Sequence, residues 1–401
     1  MLSDPHLLTT DEVAHRLGVK PATVYAYVSR GLLSSRRNAD GKGSLFTKDE
    51  VDAFVAARKP SGTPAIQTGI TLIKDGSLYY RGRDACVLAR TASFESVATL
   101  LWTGDLDHAG FRPEGEVRAV ASAASGTLPS SARLTDRLRV IVAAAAAADP
   151  LRFDTSPAAV VATGRSLLAT MGSALPISVI STAQILREKV GDSRLARTLW
   201  HRFTVAEPSE RDCTELNAAL VLLADHDIAA STLAARVAAS TRAHPYAVVS
   251  AGLAALDGPL HGTASSLAHG ILAEAITRKD PVGTIADRLR EGGTIAGFGH
   301  PLYPDGDPRA ATLLDMLADD PVLKCATELI EAMRTRSGIH PNIDFALATL
   351  TFQKNLRPDA GEAIFAVART AGWLAHALEE YADRPSRFRP TGRYAGPTPT
   401  R

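Results

Sequence analysis

Along residues 1–60, apolar positions recur at helical spacing in three short runs separated by glycine and proline. Val13, Ala14 and Leu17 follow a Thr9-x-x-Glu12 capping pattern, so a first helix is expected, ended by Gly18. Pro21 suits the first turn of a second helix with Val24, Tyr27 and Val28 facing inward, and Gly31 ends it. Arg36 to Phe46 reads as a hairpin with its tip at Gly41–Lys42–Gly43. Thr47-x-x-Glu50 then opens a third helix through Val51, Phe54 and Val55. The order is helix, turn, helix, wing, helix, which makes a small separate domain over 1–60. Residues 61–65, rich in Ser, Gly, Thr and Pro, read as a linker.

Past the linker the pattern changes. Ile66–Tyr80 alternates with glycine interruptions, as a short hairpin does. From Ala92 nearly every apolar run has helical period, with helices expected at Phe94–Leu101, Arg133–Ala148, Ala158–Met171, Glu215–Thr241 and Tyr246–Leu256. The chain from Pro385 is rich in Pro, Arg and Gly and reads as an extended arm.

Composition narrows the class. A chain of 401 residues exceeds what one core usually supports, so at least two folding units are expected. The formal net charge of +1 gives no global attraction to nucleic acid or membrane. Cys86, Cys213 and Cys325 fit neither a disulfide framework nor zinc spacing, and no metal is expected. Residues 1–10 lack a leader pattern, and Val140–Ala148 is too short to span a bilayer, which takes about 20 residues. A cytoplasmic, mainly α protein without membrane contact is the expectation.

Three strings in the last third concentrate the candidate chemistry: Gly258–Pro259–Leu260–His261–Gly262, Gly297–Phe298–Gly299–His300 and Asn342–Ile343–Asp344–Phe345. Two imidazoles and one carboxylate can deprotonate carbon next to a carbonyl and polarise that carbonyl in the same step. His261 precedes Thr263, Ser265 and Ser266, capping-type residues that open a helix, where the positive field favours a neutral ring. Ile343, Phe345 and Leu347 offer Asp344 an apolar wall that would raise its basicity. Each string also has a plainer structural role: a capping histidine, a loop histidine, a capping aspartate.

These strings, taken in order with others, resemble the citrate synthase family from about Ile66 to the C-terminus. Tyr80–Arg81–Gly82, Ala92–Ser93–Phe94–Glu95, Ala224–Asp225–His226–Asp227, Asp307–Pro308–Arg309, Arg369–Thr370–Ala371–Gly372–Trp373 and Arg389–Pro390 complete the match. The resemblance implies a large helical domain over 66–262 and 356–401 and a smaller, CoA-contacting one over 263–355. It implies condensation of acetyl-CoA, as cosubstrate, with oxaloacetate, with no permanently bound cofactor. His261 would act on the thioester oxygen, Asp344 as base, and His300 on the ketone of oxaloacetate. His226, Arg309, Arg369 and Arg389 would hold the dicarboxylate, and Ile295, Ala296, Gly297, Phe298 and Gly299 would meet CoA. Arg389, in the tail, would cross to the other subunit of a homodimer.

Departures from the family pattern are Thr263, Ser265, Pro301, Ala346–Leu347–Ala348 and Glu380, the last where glutamine is usual. They leave open 2-methylcitrate formation from propionyl-CoA, citryl-CoA cleavage, or a DNA-binding regulator that uses the pocket to sense a metabolite. Residues 1–60 resemble winged helix-turn-helix domains of MerR and excisionase type. Arg30 to Lys48 carries a net charge of +4, and Thr23, Tyr27, Arg30, Arg36 and Arg37 are the candidate DNA contacts. A packing or dimerisation module would carry the same solvated charges.

Overall fold

The computed structural model describes residues 7–17, 19–29, 32–37, 43–58, 66–107, 110–177, 194–258, 261–290, 295–391 and 396. Contacts divide the chain into two units, Met1–Gln67 and Thr68–Arg401.

In the first unit, β1 (Leu7–Thr9) leads into α1 (Thr10–Leu17), followed by α2 (Pro21–Ser29), β2 (Arg36–Arg37), β3 (Ser44–Thr47) and α3 (Lys48–Arg58). The first capping box forms as expected: the Thr9 amide donates to the Glu12 carboxylate at 2.8 Å, and the Glu12 amide donates to the Thr9 hydroxyl. The wing gains a strand that sequence did not suggest, because β1 pairs with β3 in the order β1-β3-β2. Val13, Val24, Leu33, Phe46 and Val51 close a core of their own. Tyr27 is half-buried against Phe54, with ring centroids 5.4 Å apart, and Thr23 is half-buried. Arg36 is exposed on β2, and Arg37 follows it in the same strand. Gly18, Arg30, Gly31, the hairpin tip at Gly41–Lys42 and the linker at 61–65 lie outside the described residues.

The second unit opens with an antiparallel sheet of β4 (Thr71–Lys74), β5 (Ser77–Tyr80) and β6 (Arg83–Asp84). Asp75 and Gly76 both have positive φ (50° and 73°), the two-residue turn that suits the twist of a hairpin. The rest is helical: α4 (Ala85–Thr91), α5 (Phe94–Thr103), α6 (Gly115–Gly126), α7 (Leu134–Ala148), α8 (Pro157–Ser173), α9 (Leu195–Phe203), α10 (Glu210–Leu223), α11 (Ala230–Ser240), α12 (Pro245–Leu256), α13 (Ala264–Arg278), α14 (Pro281–Arg290), α15 (Pro308–Met316), α16 (Pro321–Ser337), α17 (Ile343–Gln353) and α18 (Ala360–Ala382). None of the described helices is long and apolar enough to cross a membrane.

One expectation fails. Glu215–Thr241 is not a single helix: α10 stops at Leu223 and α11 starts at Ala230. The Ala224 carbonyl accepts from the Gly372 amide of α18 at 3.0 Å, and Asp227 turns left-handed at φ 51°. The Asp225 side chain turns inward to Thr71 and His376. Apolar periodicity continued through the break, but tertiary hydrogen bonds claimed the backbone and the polar side chains. His226 therefore sits in a turn between two helices.

In the second unit, buried side chains form two clusters. The larger gathers the sheet and most helices around α18, with Trp373 wholly buried. The smaller joins α13, α14 and α16, through Leu272, Ile285 and Leu329, to Phe345 and Ala348 of α17. The opposite face of α17 (Ile343, Ala346, Leu347 and Leu350) belongs to the larger cluster, as do Ala310, Leu313 and Leu317 of α15 and the residue that follows it. Thus α17 lies between the two cores and carries Asp344 at its first turn.

Candidate active site

Helix starts, the loops that carry the three histidines and the middle of α18 supply the site. Asn342 caps α17, accepting from the Asp344 amide at 3.0 Å, while the Ile343 amide donates to Asp307 at 3.1 Å. The loop before His300 is stitched to the same cap. Gly299 N donates to the His340 carbonyl (2.8 Å), Asn342 N to the Gly297 carbonyl (2.9 Å), and Asn342 Nδ2 to the Gly299 carbonyl (2.9 Å). Gly297 and Gly299 reach this arrangement at φ 87° and 80°. At Gly297 an added Cβ would lie 2.9 Å from the Phe345 Cβ, so only glycine brings the loop this close to α17.

His226, His300 and Tyr303 form an aromatic cluster. The His226 and His300 ring centroids lie 5.1 Å apart, and the Tyr303 hydroxyl lies 3.0 Å from His226 Nε2. Arg309 stacks its guanidinium 5.4 Å from the Tyr303 ring and is bidentate to Asp307 through Nε (2.9 Å) and Nη2 (2.8 Å). On α18, Arg369 packs 4.7 Å from the Phe365 ring and donates Nε to the Leu223 carbonyl at 2.9 Å. The His261 ring meets the edge of Phe365, with Nε2 2.8 Å from the Ser231 hydroxyl.

Electrostatics join these groups. Burial pushes Asp344 up to about 6, the carboxylate of Asp307 adding to this while Arg309 and Arg369 oppose it. Its Oδ1 is sealed from solvent and without a hydrogen-bond partner, although the residue as a whole is partly exposed. Arg369 Nη2 is likewise buried and unpartnered. Burial, assisted by Arg369, lowers His261 to about 4. Burial and then Arg309 lower His300, and burial with both arginines holds His226 well below the usual histidine range. All three imidazoles are thus neutral at neutral pH. The neutrality of His261 was legible in sequence, but its main cause is burial rather than the helix terminus alone.

The structure therefore draws His226, His300 and Arg309 into direct proximity and ties His261, Asp344 and Arg369 to one electrostatic neighbourhood. Ile295 and Gly297 are buried, Ala296 is half-buried, Phe298 packs on Phe345 at 4.7 Å, and Gly299 is exposed. Arg389 is exposed in the non-helical stretch after α18, unlike the other two arginines. Sequence reading passed over Tyr303, Asp307 and Ser231 as site residues. Tyr303 had a local signal, three residues after His300, where its amide closes a turn onto the His300 carbonyl. Ser231 had none, because only the break after α10 brings it to His261. Among the described residues no group of three or more His, Cys, Asp or Glu has the geometry to hold a metal ion.

The family model of the citrate synthase C-terminal domain matches residues 59–391, and that of a helix-turn-helix domain matches residues 7–59. Citrate synthase from Haloferax volcanii is 31% identical over 353 residues, covering 80% of this chain and 90% of its relative. The 2-methylcitrate synthase 2 of Corynebacterium glutamicum is 29% identical over 344 residues, covering 80% of this chain and 89% of its relative. Among solved structures, citrate synthase from Thermoplasma acidophilum, in a ternary complex with carboxymethyl coenzyme A and oxaloacetate, superimposes with a TM-score of 0.67 at 25% identity. That match covers 85% of this chain and 96% of its own. Citrate synthase from Pyrobaculum aerophilum shares the fold with a TM-score of 0.69 at 23% identity, covering 92% and 96%.

Fold and matches define a helical transferase preceded by a helix-turn-helix domain. The chain belongs to the citrate synthase family, and is a citrate synthase-like acyltransferase.

Proposed function

We propose that the protein condenses acetyl-CoA with oxaloacetate to give citrate and CoA. The observation that carries this reading is Asp344: a carboxylate with a buried, unpartnered oxygen and raised basicity, which shares Arg369 with His261 and Arg309 with His300 as charged neighbours. Asp344 takes a proton from the acetyl methyl group, and neutral His261, held by Ser231, donates to the thioester oxygen as enolate charge develops. The enolate carbon attacks the ketone carbon of oxaloacetate, and His300 donates to the oxygen that becomes the alkoxide. Water then cleaves the thioester, releasing CoA and citrate. Arg309, Arg369 and His226 hold the dicarboxylate, with Arg369 Nη2 the readiest donor because it lacks a partner. Arg389 completes the set from the second subunit of a homodimer. The loop Ile295–Gly299 meets CoA, and the 263–355 segment closes over the site as the smaller domain.

Propionyl-CoA is the second acyl donor to consider, since the relatives at similar identity include 2-methylcitrate synthases. Residues 1–60 bind DNA through the strand that carries Arg36 and Arg37. The discriminating assay follows free thiol from acetyl-CoA and from propionyl-CoA, each with and without oxaloacetate, beside an Asp344→Ala control. Oxaloacetate-dependent thiol release from acetyl-CoA, absent in the control, is expected. Release from propionyl-CoA alone would move the assignment to methylcitrate formation, and release from neither would reject synthase activity.

A further inference from the structure

A second buried polar cluster joins α11, α18 and the start of the C-terminal tail. Glu380, wholly buried on α18, sets one carboxylate against two guanidiniums. Its Oε1 accepts from Arg236 Nε (2.5 Å) and Arg387 Nη2 (2.5 Å), and its Oε2 accepts from Arg387 Nε (2.7 Å). Main-chain contacts hold the same region: Ser386 N donates to the Ser240 carbonyl (2.7 Å), and Arg242 donates to the carbonyls of Glu380 and Asp383 (2.6 Å each). Inward, Arg236 Nη1 donates to His376 Nδ1 at 2.5 Å. Since Arg236 only donates, the His376 proton sits on Nε2, 3.3 Å from Asp225, the residue before His226.

The two arginines depend on Glu380 unequally. Arg236 has a second carboxylate, Glu379, at 2.7 Å, whereas the second carboxylate of Arg387 among the described residues is the more exposed Asp383, at 3.3 Å. A glutamine at 380 would present one acceptor oxygen and one NH2 group. In either orientation that NH2 faces a guanidinium, donor against donor. A carboxylate alone satisfies both arginines, which gives this departure from the family pattern a physical reason.

We infer that Glu380 is a positioning residue: it seats the C-terminal tail through Arg387 and so fixes where Arg389, two residues on, is presented to an active site. The seat stands on the contacts above, and its consequence for catalysis rests on the reading of Arg389 as a ligand of oxaloacetate.

The test uses the full chain with Glu380→Gln, Arg387→Gln and Arg389→Gln. Chymotryptic cleavage after Phe388 reports the seat without reference to activity, and oxaloacetate KM against kcat reports its consequence. Arg387→Gln is the safeguard if Glu380→Gln folds poorly, because it removes the same contact from the rim and leaves Arg236 paired. Cleavage about tenfold faster in both variants is expected, with oxaloacetate KM raised about tenfold, kcat within about threefold and acetyl-CoA KM unchanged. Wild-type cleavage in Arg387→Gln overturns the seat. Faster cleavage with unchanged KM in Arg387→Gln, while Arg389→Gln raises it, overturns the positioning role. Unchanged KM in Arg389→Gln overturns instead the reading of Arg389 itself and leaves the seat intact.

Discussion

In the proposed reaction Asp344 concentrates the chemistry in one side chain. Its elevated pKa requires the acid limb of kcat/KM to fall near pH 6, roughly two pH units above an ordinary aspartate, with activity lost below it as the base protonates. A pH–rate profile measures this, and an acid limb near 4 would contradict the buried-base reading. Asp344→Ala should lower kcat by about 10³-fold while the fold persists, since general-base catalysis typically supplies 10²–10⁴. Ser231→Ala should lower kcat by roughly fivefold, the worth of about one hydrogen bond that orients His261, with a smaller effect on KM. The histidines also bear on stability. His261 and His226 have folded pKa values below the unfolded value of 6.5, so the unfolded chain binds more protons below that pH. For His261 the contribution is complete above 6.5 and is lost as pH falls toward about 4, and for His226 it is lost in the same direction; for Asp344, raised instead, the sign is opposite between about 4 and 6. Denaturant titrations across this range measure the sum.

Elements were legible in the sequence wherever one local signal governed. The Thr9–Glu12 box, the hairpin within Ile66–Tyr80 and the starts of α7, α8 and α12 lie where capping and periodicity put them, within a residue or two. The break between α10 and α11 did not show, because its cause is a hydrogen bond from α18, more than a hundred residues away. The same distance hides Ser231, whose value depends on that break. By contrast the histidine strings announced themselves, since glycine beside histidine is a local mark of backbone drawn close. Gly372 tests the crossing directly. A Cβ there would stand 2.6 Å from the Ala224 carbonyl oxygen, so Gly372→Ala should destabilise by about 1–3 kcal/mol and lower Tm. A melt indistinguishable from wild type would mean that the crossing relaxes at little cost.

The whole molecule joins two units, each with its own buried core. Removing residues 1–58 should therefore leave thiol release within about threefold of the full chain, because the citrate synthase unit keeps every group assigned to the reaction. Loss of activity on truncation would instead make the small domain part of the enzyme. If that domain binds DNA, Arg36→Ala/Arg37→Ala should weaken binding and flatten its salt dependence, as loss of two phosphate contacts does. Mixing Asp344→Ala and Arg389→Gln subunits tests the shared site: recovery of a low oxaloacetate KM in the mixture is expected if Arg389 acts across a dimer.

Two main-chain hydrogen bonds between 297–299 and 340–342, with a third from the Asn342 side chain, fasten His300 and Asp344 to a common frame. Distance between the proposed proton acceptor and the proposed ketone holder is thus set largely by peptide groups, and two of the three bonds survive any side-chain replacement. Evolution, or a library that varies the surrounding pocket, can retune acyl preference while this frame stays constant.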